Sequence, residues 1–72
     1  MNKTTVTVGS VTYAMKAKRL LSRMNIQSKL VKVDASKTAG GCTHGLEFAS
    51  ADFYTVVMGL KNAGIHYSIY KD

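Results

Sequence analysis

The strongest constraint on the fold is an internal repeat. Val6, Val8 and Ser10 are matched in the second half by Leu46, Phe48 and Ser50, and Leu21, Asn25, Ile26 and Leu30 by Leu60, Gly64, Ile65 and Ile69. The offset is constant within each set and shortens by one residue between them. Each half therefore reads as strand, capped helix, left-handed stop, apolar fold-back and strand. Two such units in tandem predict an α+β, ferredoxin-like βαββαβ sandwich: a four-stranded antiparallel sheet, strand order 4-1-3-2, with two helices on one face. Residues 1–72 form one domain on this reading.

The individual elements carry the expected periodicities. Thr5-Val6-Thr7-Val8 alternates polar and apolar residues as a half-buried strand. After Gly9, Ser10 or Thr12 can cap a helix whose apolar positions Ala14, Ala17, Leu20, Leu21 and Met24 recur at spacings of three and four. Asn25 suits a left-handed stop. Lys29 to Val33 reads as a second strand with two possible facings, Val31 and Val33 against Leu30. Residues 34–45 lack periodicity and read as a long loop, followed by the strand Leu46-Glu47-Phe48. Ser50 is placed to cap a second helix, with Asp52 in its first turn and Phe53, Val56, Val57, Leu60 and Ala63 as its buried stripe. Tyr67 to Tyr70 closes the sheet.

A chain of 72 residues can bury roughly 60% of its unfolded surface. A hydrophobic content of 46% must supply the core, because a single cysteine allows no intrachain disulfide. One Cys and two His fall short of a four-ligand zinc site, so neither metal nor cofactor is expected. The unpaired cysteine, the lack of a basic-then-apolar opening and the absence of an apolar run near ~20 residues point to a cytoplasmic protein without a membrane span.

The net charge of +6 would attract polyanions. Its one concentration is on the first helix, where Lys16, Arg19 and Arg23 share a face at i, i+3 and i+7. Such a stripe is either a solvated surface or a docking site for a partner. RNA-binding modules of this topology stack bases on aromatic residues of the central strands. Here the outward residues of those strands are Thr5, Thr7 and Glu47, so nucleic-acid recognition by stacking is not expected.

Covalent chemistry has one candidate. Cys42 lies in Gly40-Gly41-Cys42-Thr43-His44-Gly45, a run that offers little side-chain cover. Glycines also let backbone N–H groups approach a thiolate or anion. A free thiol titrates near about 8.5, so modest positive field makes it partly ionised at neutral pH. His44, two residues on, shares a face with Cys42 in an extended segment and could exchange a proton with it. No acid orients that imidazole, since Glu47 alternates to the other face, and a cysteine hydrolase has little support. Lys32 and Lys37 could add positive field. Gly40-Gly41 precedes a strand rather than a helix, which argues against a phosphate loop.

These features together resemble the selenium/sulfur carrier protein-like family of small bacterial proteins. The resemblance covers nearly the whole chain: Ala14-Met15-Lys16-Ala17, Leu20-Leu21, the stop before Ile26, the loop ending Gly41-Cys42, Leu46-Glu47-Phe48, Gly64-Ile65 and Ile69-Tyr70. Cys42 matches the family's cysteine, and Thr43 stands where the family usually has glycine. The resemblance implies a thiol-based sulfur or selenium carrier, or redox accessory domain. Cys42 would then carry the chalcogen, the surrounding loop would serve it, and Lys16, Arg19 and Arg23 would dock a donor or acceptor protein. Whether the chain catalyses a reaction stays open at this point. Two alternatives also stand: a non-catalytic interaction module, including a homodimer through the edge strand Tyr67–Tyr70, and weak, charge-driven binding of nucleic acid.

Overall fold

The computed structural model describes residues 2–38, 41 and 43–70. Its elements run β1 (Lys3–Thr7), α1 (Val11–Arg23), β2 (Ser28–Lys32), a 3₁₀ turn (Ala35–Lys37), β3 (His44–Ala49), a second 3₁₀ turn (Ser50–Asp52), α2 (Phe53–Asn62) and β4 (Ser68–Tyr70). The strands form one antiparallel sheet in the order β2-β3-β1-β4. This is the ferredoxin-like βαββαβ architecture, with the two helices covering one face.

The register explains which residues enter the core. Val6 pairs with Leu46 and Leu46 with Leu30, and this row faces the helices, whereas Ile69, across from Val6 on the edge strand, stays outside the core. Val6, Leu46 and Phe48 pack there with Ala14, Ala17 and Leu21 of α1 and with Val56 and Leu60 of α2. Alanine at 14 and 17 lets α1 approach the sheet closely, and both are fully buried. The ambiguous facing of β2 is thereby resolved. Leu30 lies opposite Leu46 and turns inward, whereas Val31 lies opposite Gly45 on the open face.

Helix ends follow the local chemistry. Ser10, not Thr12, caps α1: its hydroxyl accepts from the Tyr13 N–H at 3.2 Å. The two stops are the same motif. Asn25 (φ 60°) and Gly64 (φ 72°) sit in the left-handed region. Ile26 donates to the Leu21 carbonyl and Ile65 to the Leu60 carbonyl, both at 2.9 Å, which returns each isoleucine to the core.

Four local expectations are corrected. β1 starts at Lys3 rather than Thr5, and β3 starts at His44 rather than Leu46. Ser50 makes no side-chain cap to α2. Its hydroxyl bonds Thr4 Oγ1 at 2.6 Å and its N–H donates to the Asn2 carbonyl at 3.1 Å, so it fastens the strand end instead. A 3₁₀ turn consequently intervenes before α2. In the stripe of α2, Val56 and Leu60 are buried, Phe53 and Val57 are half-buried, and Ala63 is exposed at the helix end.

Candidate functional site

The β2–β3 hairpin carries the thiol loop. Cys42 and Gly40 lie outside the described residues, and the site is built from what flanks them. Beyond the last ladder pair, Lys32 with His44, the Val33 N–H donates to the Thr43 carbonyl at 2.9 Å and carries the hairpin one step further. The chain then turns at Asp34, whose Oδ1 accepts from the Ser36 N–H at 3.0 Å and the Ser36 hydroxyl at 2.7 Å. These two hydrogen bonds, with the Lys37 charge as a lesser cause, hold the Asp34 carboxyl below its usual value.

A further tie comes from the far edge of the sheet. The Asp34 N–H donates to the Tyr70 hydroxyl at 3.3 Å. Tyr70 pairs with Thr5 on β1 and so belongs to the open face. The base of the loop is thus anchored to β4, although β2 and β4 are opposite edges. Nothing in the sequence marks Tyr70 for this role, because the partner is a backbone amide distant along the chain.

The four described residues of the thiol loop divide by task. Gly41 is exposed at φ 73°, and a Cβ there would meet open space, so glycine is required for its backbone angle alone. Thr43 is exposed, and its hydroxyl lies 3.0 Å from His44 Nδ1. His44 is half-buried in β3, directly across from Lys32. Gly45 is not a flexible loop residue. It is buried inside β3 between Val31 and Thr7, where an added Cβ would come within 2.6 Å of the Val6 carbonyl oxygen. Glycine here permits close strand approach.

The charges near the hairpin have separate settings. Lys32 stands beside His44, while Lys37 acts on Asp34. Glu47 is across from Lys29 and Thr5 on the open face, opposite to the side His44 faces. β1 and β2 run parallel, each antiparallel to β3, so the start of α1 lies at the same end of the sheet as the hairpin. Lys16, Arg19 and Arg23 are all exposed along α1. His66 is exposed before β4, away from the ladder.

Among the described residues there is no group of three or more His, Cys, Asp or Glu able to hold a metal ion. Among them, too, no helix is long and apolar enough to cross a membrane. On the open face of the central strands lie Lys3 and Thr5 of β1 and Glu47 and Ala49 of β3, none of them aromatic, while Thr7, expected to face outward, is buried beside Gly45. In comparisons with known proteins, the chain matches no family model, no curated protein and no solved structure.

Proposed function

We propose that the chain is a thiol-based carrier of sulfur or selenium, with Cys42 as the carrying residue. In the transfer, the Cys42 thiolate attacks the terminal sulfur of a donor persulfide. A new S–S bond forms on Cys42, the donor's S–S bond breaks, and the donor cysteine leaves as a thiolate. The step is redox-neutral and needs no further reagent, and the selenium version replaces the terminal sulfur by selenium. Passing the chalcogen on to an acceptor thiolate is the same exchange in reverse.

The observation that carries this reading is the exposure of Gly41 and Thr43, the residues on either side of Cys42 in the chain. A carrier thiol has to reach into another protein's site, and exposed chain neighbours suit that task. Lys32 and the start of α1 lie at the same end of the sheet as Thr43, the neighbour of Cys42 in the chain, and positive charge near the loop would favour a thiolate. The exposed stripe Lys16, Arg19 and Arg23 is the surface we assign to the donor or acceptor protein. A cytoplasmic location, with its reducing environment, would keep the thiol free for this work.

Incubation with a cysteine desulfurase and free cysteine tests the proposal. Intact mass should show one added sulfur atom on the wild-type chain and none on Cys42→Ser. Equal loading of both would refute it.

A second reading rests on a separate observation. β4 is a bare sheet edge and leaves Ile69 49% exposed, whereas the β2 edge is guarded by Lys29 and Lys32. Pairing of two β4 edges would make a homodimer. Sedimentation at micromolar concentration decides it: a strict monomer removes this reading.

A further inference from the structure

The two helices leave an apolar furrow on the outer surface of the molecule. Leu20 of α1 and Met24, which caps its C-terminus, form one bank, and Tyr54 and Met58 of α2 form the other, with Gly59 between them. Gly59 matters because the Met24 side chain lies over it: a Cβ there would come within 3.1 Å of the Met24 sulfur. Tyr54 is 83% and Met58 57% exposed. Two large apolar side chains left to solvent on adjacent turns of one helix, beside a third and fourth from its neighbour, make a contiguous patch rather than scattered surface hydrophobes. Methionine is well suited to such a surface because its flexible thioether adapts to a partner.

Charge selects the occupant. α1 and α2 together carry Lys16, Lys18, Arg19, Arg23 and Lys61 and not one carboxylate. Helical geometry puts Lys16 and Arg23 next to Leu20 along the α1 bank, since residues three and four apart are neighbours on a helix surface. The furrow itself is lined by apolar and uncharged residues, and the exposed Lys16 and Arg23 flank it on the α1 side alone. A second copy would bring like charge against like charge in a symmetric contact. A lipid surface would take up the protruding Tyr54 and Met58 but leave the half-buried Leu20 and Met24 between the helices uncovered. Nucleic acid would use the cations and leave Leu20, Met24 and Met58 with nothing to cover them.

We infer that this furrow binds an acidic amphipathic helix of a partner protein, its apolar residues over Met58 and Leu20 and its carboxylates against Lys16, Arg19 and Arg23. The mode is helix-in-groove recognition. This deepens the proposed function by naming the chemistry of the docking partner, and it rests on that reading only in using the α1 cations for docking. The binding itself does not involve Cys42.

The probe is a capped synthetic helix of about 15 residues, near the length at which an isolated helix holds. It has leucines at spacings of three and four and glutamates on both flanks. Titration into the ¹⁵N-labelled chain should shift Leu20, Met24, Tyr54 and Met58 and leave the β2–β3 hairpin unmoved. Met58→Glu, a surface change checked by circular dichroism, should weaken binding at least about fivefold. Exchanging the peptide's glutamates for lysines, or Arg19 and Arg23 for glutamate, should weaken it about tenfold and reduce its salt dependence. Equal binding of the lysine peptide, shifts confined to another surface, or insensitivity to Met58→Glu would overturn the inference. So would tighter binding of anionic phosphatidylglycerol vesicles or a single-stranded oligonucleotide through the same residues, or a dimer that buries Tyr54 and Met58. Because sulfur loading is read separately on Cys42→Ser, failure of the furrow leaves the thiol proposal standing, and the reverse also holds.

Discussion

Single positions carry much of the specificity of this fold, and glycine shows it best. Gly41, Gly45 and Gly64 look alike in the sequence but do different work. Gly64 supplies a left-handed φ of 72° that an L residue occupies at a cost of about 1–2 kcal/mol, so Gly64→Ala should lower urea stability by that amount. Asn25 performs the same turn at φ 60° with a side chain that tolerates it, and Asn25→Gly should be neutral or slightly stabilising. Gly45 is a matter of space, since a Cβ would press on the Val6 carbonyl. Overpacking of this kind costs about 1–3 kcal/mol, which Gly45→Ala should show in the same assay. The two left-handed stops are legible in the amino-acid pattern, because each precedes an isoleucine at the end of an apolar periodicity. Gly45 is not. It follows a run of glycine and polar residues that reads as loop, and only the pairing with Thr7 and Val31 reveals the close approach. Asp34 adds a pH dependence. Its folded value is lowered, so its contribution is complete above the ordinary value of 3.8 and fades as pH falls through the lower folded value. An NMR titration of the Asp34 carboxyl should place its midpoint below that of a Ser36→Ala variant, in which the side-chain bond is absent. Coincident midpoints would contradict the turn described here.

Elements are where local signals and long-range competition meet. α1 obeys its sequence: Ser10 caps it, and Ser10→Ala should cost about 1 kcal/mol. α2 carries an equivalent serine, yet the Ser50 hydroxyl is held by Thr4 across the sheet, and the helix begins after an intervening 3₁₀ turn. Pattern reading finds a capping residue but cannot see a hydroxyl far along the chain that competes for it. The facing of β2 is undecidable from the pattern for a similar reason. Leu30 and the pair Val31 and Val33 are equally apolar, and the choice is made by Leu46 across the ladder. The anchoring of the hairpin by Tyr70 is likewise a tertiary event. Tyr70→Phe removes the acceptor for the Asp34 N–H, so hydrogen exchange at that amide should accelerate while the β1–β3 ladder keeps its protection. Unchanged exchange at Asp34 would show that the tie is not formed in solution.

At the scale of the whole molecule, the repeat explains how so short a chain can build its core from apolar packing. Each half contributes one leucine near a left-handed stop, Leu21 and Leu60, and both are fully buried in one shared core. A domain of this length holds roughly 4–11 kcal/mol of stability at the usual value per residue. Truncating either leucine to alanine should cost about 2–5 kcal/mol, a large share of that total. The two losses should be similar if the halves are structurally equivalent, and a strongly unequal pair would argue against that equivalence. The repeat also sets where function can reside. It places the long connection between the two halves, and the described flanks of that connection, Val33 and Thr43, lie at the end of the sheet where α1 begins. The thiol belongs to that connection, and the apolar furrow with its basic flank belongs to the helix layer, so carrying and docking are assigned to different parts of the molecule. The run around the lone cysteine is legible as a candidate from composition alone, although one of its glycines, Gly45, is buried strand. Its division into a turn residue, a hydrogen-bonded Thr43–His44 pair and a strand glycine is not, since each depends on the ladder.

Alkylation of Cys42 by iodoacetamide across a range of pH, against free cysteine under the same conditions, tests the carrier proposal most directly. The carrier proposal predicts a midpoint below the free value of about 8.5 and a faster reaction at neutral pH in the folded chain. A thiol that reacts more slowly than free cysteine, and speeds up only when urea unfolds the protein, would contradict it.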